Sequence, residues 1–332
     1  MLKAGIIGLG VGEAHIEGYR RHKGCEVVAL CDFSPDKLTY AKNKYPDLYV
    51  TDNAEEIIND PAIDVISIAS FDNYHHRQIM SALTKDKHLF VEKPLCQKPE
   101  EAYDIRRMLT QKPYLKISSN LILRKYPRFI NLKEKITNSE LGKLYHVEGD
   151  YNYGRLEKIT EGWRGKIDYY SVTLGGGIHI IDLISWLTGD RITEVAACGN
   201  NISSRDSQFK YPDMVSCVLK FKSGITGKMA VNFGCVHPHF HNLSVYGTKT
   251  TFIYSINSGS YWTSRDPRIP PVTDKCAYPG AQKDALIYNF IDSILGNTLP
   301  EITPEEIFYD LAVCFAIEKS VQTNSFVKVE MI

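Results

Sequence analysis

Residues 2–15 read LKAGIIGLGVGEAH, a short apolar run that passes through three closely spaced glycines into a stretch with helical periodicity. Gly8 permits a tight bend, and Gly10 lets the backbone approach a pyrophosphate, which the N-terminal end of the following helix attracts. The third glycine of such a turn is expected at position 13 and stands instead at Gly12. The segment predicts a strand, a phosphate-binding turn that includes Leu9, and a helix.

A second apolar run, EVVALCD at residues 26–32, ends on Asp32, about twenty residues beyond the turn, where a carboxylate accepts a hydrogen bond from the ribose 2′-hydroxyl of a dinucleotide. The alternative is a set of loop glycines and a helix-capping aspartate. Because strand, turn, helix, strand and acid are in register, we predict a dinucleotide site. The carboxylate repels a 2′-phosphate, so we expect NAD as the cofactor, with NADP as the alternative if Lys37 reaches that phosphate.

Composition limits the partners. The 332 residues include 39 basic and 39 acidic side chains, so there is no formal net charge, and 43% of the residues are hydrophobic. Nothing in this balance points to nucleic acid or an anionic membrane surface. The sequence shows no signal-like N-terminus and no apolar run of transmembrane length, and its eight cysteines lack C-x-x-C spacing. We expect reduced thiols in a cytoplasmic protein without a membrane or nucleic-acid partner.

Hydrophobic patterning divides the chain at about residue 122. Short apolar runs such as IDVISIAS (63–70) alternate with helical stretches before this point, as in βαβ units, and KISSNLILR (116–124) predicts the last strand. From Gly142 onward, longer alternating strands predict an antiparallel sheet with one covered face. We therefore predict an α/β protein with a Rossmann domain, a doubly wound parallel sheet, at 1–122. An α+β domain with a large open, mainly antiparallel sheet follows at 123–332, and the active site is expected in the cleft between the two.

The run Val91-Glu92-Lys93-Pro94-Leu95 ends another predicted buried strand of the first domain. Such a strand end lies next to the bound cofactor in a doubly wound sheet. Lysine donates and accepts protons, and a Lys-Pro bond is of the type that adopts the cis form at modest cost, so the pair can fix a sharp turn. The alternative is a solvated lysine in an ordinary strand-to-helix loop.

Several segments together resemble one protein family. They are the GLG turn with His15, Asp32, the FDNYHH segment (71–76) in place of the usual P-N-x-x-H, the VEKPL run, GGGIHIIDLISWLTG (175–189) and YGTKTT (246–251). This combination resembles the glucose-fructose oxidoreductase / inositol dehydrogenase family, often written Gfo/Idh/MocA, over nearly the whole chain. The resemblance implies a nicotinamide-dependent oxidoreductase that acts on a hydroxyl of a sugar, a cyclitol or a nucleotide-linked sugar. It also implies the remaining cofactor-binding residues, which are Ser70, Asn73, His76, Glu92, Lys93 and Pro94.

The chemistry requires a base. Oxidising a secondary alcohol moves a hydride to the nicotinamide and removes the hydroxyl proton, so a base must lie within hydrogen-bond reach of that oxygen. Lys93 suits this role, because burial and the positive charge of an oxidised nicotinamide both disfavour its ammonium form. The ammonium would donate to a ketone in the reverse direction. We expect His179, from the second domain, to orient the hydroxyl or share its proton.

One position departs from the family pattern. An aspartate commonly stands one helical turn before this histidine in the family, and here that position is Gly175. Asp182, Asp168 or a tyrosine such as Tyr169 is a candidate replacement, and we include Asp182 among the predicted catalytic residues. Retention of Lys93 and His179 favours an enzyme over a non-catalytic, NAD(P)-sensing regulatory protein of the same fold.

Aromatic and basic side chains precede the glycine run. Tyr151, Arg155, Trp163 and Arg164 are the predicted substrate-binding residues, since such groups stack on a sugar or bind a phosphate. The alternative for the tyrosines is simple alternation on a sheet. The histidines of His237-Pro-His239-Phe-His241 alternate as on a strand and suit a metal, yet apart from Cys235 no acidic or cysteine ligand is close in sequence. We predict substrate contact or surface there, and no metal.

Apolar residues in the second domain suggest self-association. Val215, Cys217, Leu219 and Phe221 alternate on one face of a predicted strand, and Val218 lies on the other face. This pattern suggests apolar residues on more than the covered face, and we predict a homodimer or homotetramer formed through the C-terminal sheet. A nucleotide-sugar dehydrogenase or ketoreductase of polysaccharide biosynthesis is the alternative to a dehydrogenase of free sugars or cyclitols.

Overall fold

Strands alternate with helices in the first part of the chain, and these strands form the first sheet, as predicted. The structure, a computed structural model, describes residues 1–256, 258–279 and 282–332. The strands of the first sheet are β1 (Leu2–Ile7), β2 (Cys25–Cys31), β3 (Tyr49–Thr51), β4 (Val65–Ile68), β5 (His88–Val91) and β6 (Ile117–Ser119). The helices between them are α1 (Glu13–Arg20), α2 (Pro35–Lys44), α3 (Ala54–Asn59), α4 (Asp72–Thr84) and α5 (Pro99–Gln111).

All pairings in this sheet are parallel, in the order β3-β2-β1-β4-β5-β6. The order reverses between β1 and β4, and in doubly wound sheets ligands bind at the carboxyl ends of the strands at such a point. The central strands are apolar because helices cover both faces of such a sheet, and β4 is buried along its whole length. The predicted last strand, KISSNLILR, is shorter than expected: β6 ends at Ser119, and a 3₁₀ turn follows at Ile122–Lys125.

The second sheet has nine strands. They are β7 (Leu144–Asn152), β8 (Ile192–Asn200), β9 (Met214–Phe221), β10 (Thr226–Asn232), β11 (Phe240–Gly247), β12 (Thr251–Tyr254), β13 (Gly259–Trp262), β14 (Val272–Asp274) and β15 (Val327–Lys328). Their order is β14-β13-β12-β11-β7-β10-β9-β8-β15, and β7 and β10 form its parallel pair. The helices are α6 (Pro127–Thr137), α7 (Glu157–Thr160), α8 (Ile178–Thr188), α9 (Ile287–Leu295) and α10 (Pro304–Thr323). This mainly antiparallel sheet confirms the predicted fold class.

Two compact units divide the chain. Unit 1 comprises Met1–Ile122, Gln282–Tyr309 and Ile332, and unit 2 comprises Leu123–Ala281 and Asp310–Met331. The first break coincides with the predicted boundary at residue 122. The rest differs from the predicted continuous 123–332 domain, because the segment Gln282–Tyr309 packs with unit 1.

Specific contacts hold this late segment in unit 1. Helix α9 packs against α1, and the Ser118 hydroxyl donates to the carbonyl of Ile302 at 3.0 Å. The Asn120 amide donates to the carbonyl of Lys283 at 2.9 Å. No local pattern in residues 282–309 reveals this assignment, since it depends on contacts with residues far away in sequence.

The open face of β9 carries both apolar and polar side chains. Val215, Cys217, Leu219 and Phe221 are all buried, whereas Val218, 50% exposed, lies on the other face with Met214 and Lys220. Neighbouring positions on that face include Lys220 and Lys228. In the described part of the chain, no helix is both long and apolar enough to cross a membrane. All eight cysteines are free thiols.

Candidate active site

The glycine turn after β1 has the geometry that its sequence predicts. Gly8 has φ +93°, and a Cβ at this position would lie 2.3 Å from the carbonyl oxygen of Ala69, so a side chain is excluded. Around Gly10 the space is open: the nearest atom to a Cβ would be Lys37 Nζ, at 3.7 Å. The turn therefore leaves its backbone accessible at the position where a pyrophosphate is expected.

Asp32 directly follows Cys31, the last residue of β2. It is 4% exposed, and its carboxylate accepts three hydrogen bonds. The donors are the Leu9 backbone N–H at 2.7 Å, the Ser34 backbone N–H at 2.9 Å and Lys37 Nζ at 3.0 Å. The bond from Leu9 ties the carboxylate directly to the glycine turn. Lys37, which the prediction considered only as a phosphate ligand, instead neutralises part of the Asp32 charge.

The Lys93-Pro94 peptide bond is cis, as the sequence suggested. His75 holds this turn: its Nδ1 lies 2.7 Å from the carbonyl oxygen of Pro94, and its Nε2 lies 3.2 Å from the carbonyl oxygen of Ser70. His76, the histidine predicted to bind the cofactor, lies 3.8 Å from Asp104, measured between Nε2 and Oδ2. The two histidines differ because adjacent residues of α4 project about 100° apart, so that one faces the sheet and its neighbour faces α5.

Glu92 is the centre of a hydrogen-bond network behind this turn. Its carboxylate lies 3.2 Å from His15 Nε2 and accepts a bond of 2.7 Å from the Asn120 amide. The other ring nitrogen of His15 lies 2.8 Å from the Ser67 hydroxyl. Burial raises the pKa of Glu92, but the His15 contact, the Lys93 charge and the Asn120 bond outweigh it and lower the pKa to about 2. Glu92 is therefore ionised at neutral pH.

The other predicted cofactor residues lie at the start of α4. Asn73 is exposed in the first turn of this helix, and the half-buried Ser70 hydroxyl donates to Gln78 at 2.7 Å. Both positions follow the carboxyl end of β4. Their contact with the cofactor stays a prediction.

In unit 2, His179 lies in a buried aromatic cluster between α8 and the sheet. Tyr151 of β7 stacks against it, with 6.2 Å between ring centres, and His241 lies 6.5 Å away in a T-shaped arrangement. His239 lies 4.9 Å from His241 and 5.1 Å from Tyr151. Two of the three alternating histidines thus join the predicted pair Tyr151 and His179. The alternation of these histidines along the sequence was the signal that they lie on one face of the strand.

A neutral imidazole is built into the cluster. Burial and the charges of His239 and His179 lower the pKa of His241 well below its usual value. The Tyr278 hydroxyl accepts the His241 backbone N–H at 3.2 Å and lies 2.5 Å from His241 Nδ1. Burial raises the pKa of Tyr278, so its hydroxyl stays protonated and shares a hydrogen bond with Nδ1.

Tyr170 fills the place beside Gly175. A Cβ on Gly175 would lie 2.1 Å from the Tyr170 hydroxyl oxygen, and Tyr170 is 1% exposed. Sequence reasoning considered Asp168, Tyr169 and Asp182 for this role and missed Tyr170. The Tyr169 hydroxyl donates to Glu318 at 3.2 Å, and Asp168 is exposed. The glycine itself was the available signal, because it leaves room for a large neighbour.

Asp182 pairs with an arginine. Its carboxylate is fully buried and accepts hydrogen bonds from Arg124 Nε at 3.0 Å and from an Arg124 terminal nitrogen at 2.5 Å. This fork geometry fixes α8 to the 3₁₀ turn that contains Arg124. The pair gives Asp182 a structural role, and its predicted catalytic role stays a prediction.

The remaining predicted substrate residues form cation–π contacts. The Arg155 guanidinium lies 5.3 Å from the ring centre of Tyr153, and that of Arg164 lies 4.6 Å from Trp163. His237 lies apart, with its Nδ1 2.7 Å from the carbonyl oxygen of Pro238. Among the residues that the structure describes, no three His, Cys, Asp or Glu side chains are grouped to hold a metal ion.

Several known proteins are similar to this chain in sequence or in fold. Myo-inositol 2-dehydrogenase of Thermotoga maritima is 26% identical over 258 residues, which cover 75% of this chain and 73% of that protein. Two solved structures share the fold. The structure of scyllo-inositol dehydrogenase from Lactobacillus casei with NAD(H) and scyllo-inositol has a TM-score of 0.82 at 20% identity and covers 99% of both chains. Levoglucosan dehydrogenase in complex with NADH has a TM-score of 0.86 at 19% identity, with complete coverage of both chains.

Two family models match the chain. Residues 2–117 match the oxidoreductase family with an NAD-binding Rossmann fold, and residues 129–253 match the GFO/IDH/MocA C-terminal domain. Together they span most of both units. The chain belongs to the Gfo/Idh/MocA family of NAD-binding oxidoreductases.

Proposed function

We propose that this protein transfers a hydride between NAD and a secondary hydroxyl or ketone of a sugar or cyclitol, with Lys93 moving the proton. The observation that carries the proposal is the position of Lys93, which lies two residues beyond the end of β5 and adjoins the ionised Glu92. The inositol dehydrogenases among the relatives support the substrate class. The free thiols are compatible with a cytoplasmic location.

The residues of unit 1 fit a dinucleotide. Gly8 and Gly10 keep side chains away from the turn, the N-terminal end of α1 follows, and Asp32 offers a carboxylate to a ribose. When bound, NAD supplies the hydride acceptor.

Proton transfer is assigned to this chain's own side chains. Lys93 accepts the hydroxyl proton as the hydride leaves the same carbon, and in the reverse direction it returns a proton to the ketone oxygen. His179 would orient the hydroxyl. The neutral His241 suits a second hydrogen bond to the substrate.

Substitution of Lys93 tests the proposal. NAD-linked turnover is screened with inositols, free sugars and nucleotide sugars, and Lys93→Met is then compared with Lys85→Met, whose lysine is exposed in the same unit. Lys93→Met should lower kcat by roughly 10²- to 10⁴-fold. NAD binding should stay nearly intact, because the amine acts on the substrate oxygen. Near-normal turnover of Lys93→Met on the best substrate would show that the proton is moved by another group.

A further inference from the structure

The group that replaces the family's aspartate at position 175 is a hydroxyl. The Tyr170 oxygen and its ring carbon Cζ would lie 2.1 and 2.6 Å from a Cβ on Gly175. No aspartate fits here unless the fully buried Tyr170 moves. One helical turn before His179, the chain therefore presents a phenol where a carboxylate is usual.

A guanidinium lies against this phenol. Arg164 Nε donates to the Tyr170 hydroxyl at 3.1 Å, and the guanidinium carbon lies 5.7 Å from the Tyr170 ring centre. Trp163 supports the same guanidinium from another side at 4.6 Å. The Tyr170 hydroxyl therefore has a positively charged neighbour.

A second guanidinium lies near the same cluster. Arg155 is exposed and is located over Tyr153, whose ring centre is 5.8 Å from that of Tyr151. Burial raises the pKa of Tyr151, and the positive charges of Arg164 and Arg155 both oppose that rise. Both charges therefore act on the buried tyrosine that stacks on His179.

We propose that the substrate carries an anionic group, a carboxylate or a phosphate, which Arg155 and Arg164 bind beside Tyr151 and His179. This inference rests on the proposed function and narrows its substrate class. A guanidinium forms paired, charge-assisted hydrogen bonds with the oxygens of a carboxylate or phosphate, and a neutral polyol cannot match them. The chain would then prefer an acidic or phosphorylated sugar to a neutral cyclitol.

Matched pairs of sugars test the proposal. Galactose is compared with galacturonate, glucose with glucuronate and glucose 6-phosphate, and myo-inositol and UDP-glucose are added. Turnover is measured with NAD, and binding to the NADH-loaded protein is measured by calorimetry. Hydrogen bonds to charged groups predict affinities roughly 10- to 100-fold higher for the anionic members. Comparing the affinities of the uronates with those of the phosphate compounds shows whether the site prefers a carboxylate or a phosphate.

Variants locate the anion. Arg155→Gln should raise KM for anionic sugars by about tenfold, as expected for one lost charge-assisted bond. Arg164→Lys keeps the charge but loses the paired hydrogen-bond geometry, and it should weaken the binding of the same anionic sugars. Arg268→Gln is the control, since Arg268 is 87% exposed and pairs with Asp266.

The outcomes separate this inference from the proposed function. Binding of anionic sugars without hydride transfer supports the anion site and contradicts the proposed reaction. Equal or better binding of the neutral members overturns the anion site, as does an Arg155→Gln effect that is the same for neutral and anionic sugars. Failure of every anionic sugar to bind at millimolar concentration overturns it too.

Discussion

Replacing Glu92 by glutamine should remove a pH-dependent part of the protein's stability. The folded structure lowers the pKa of Glu92 from the ordinary 4.5 to about 2. Each unit of pKa difference corresponds to about 1.4 kcal/mol, so ionised Glu92 contributes about 3 kcal/mol at neutral pH. The side chain is 12% exposed, which limits screening by solvent. Glutamine cannot supply this charge to His15 and Lys93.

The sign of the pH dependence follows from the direction of the shift. Because the folded pKa is lower than the unfolded one, the contribution is complete above pH 4.5 and is lost as pH falls towards 2. About half of it should be gone at pH 3. The stability difference between wild type and Glu92→Gln should therefore shrink over this window.

Urea unfolding followed by circular dichroism at several pH values between 7 and 3 measures the difference. Glu161→Gln, at an exposed glutamate of unit 2, is the control and should follow the wild type. A wild-type advantage over Glu92→Gln that is the same at pH 7 and pH 3 would refute the reasoning, because an ionisation-independent loss reflects packing alone.

Four further outcomes are expected. Fluorescence titration should show tighter binding of NAD than of NADP, and Lys37→Gln, which removes the cation beside Asp32, should widen that preference; a clear NADP preference in the wild type would contradict the role of Asp32. Asp182→Asn should lower the free energy of unfolding by about 3–5 kcal/mol in urea titrations, since it leaves a buried guanidinium without its counter-charge, and a loss under 1 kcal/mol would argue against a strong pair. His179→Ala should reduce kcat less than Lys93→Met does, because neighbouring imidazoles share its environment; an equal loss in steady-state assays would make it an essential group. Light scattering should report a dimer or tetramer formed through the nine-stranded sheet, and a monomer at micromolar concentration would exclude it.

Local motifs predicted the elements that carry the glycine turn and Asp32. The strand, turn, helix and Asp32 are consecutive in sequence, and each signal depends on residues only a few positions apart, so the pattern carries the geometry. The EKP run likewise placed Lys93 and Pro94 at a strand end, as the structure has them.

Contacts between distant residues were beyond the sequence patterns. His75 and His76 are equivalent as letters, and only the direction of α4 decides which one reaches Pro94. The side chain of Tyr170 fills the space beside Gly175, and no periodic pattern in the sequence predicts the course of the loop that brings it there. The ion pair between Asp182 and Arg124 joins residues 58 positions apart, and nothing in the sequence near Asp182 predicts it. In each case the sequence identified a residue of interest but not the residue that it contacts.

The return of residues 282–309 to unit 1 has a consequence for how the protein is made. A ribosome releases the glycine turn and the EKP loop early, but the carbonyl of Lys283 that receives the Asn120 amide, and the helix that packs on α1, emerge only after strand β14 has been made. Domains commonly fold as they emerge, at about 5–20 residues per second. Here the nascent nucleotide-binding unit must wait, incompletely assembled, while strands β7 to β14 of the second sheet are synthesised. A fragment ending at residue 122 should therefore be a poor substitute for the natural unit, whereas joining residues 1–122 to 282–309 through a short linker would reconstitute it.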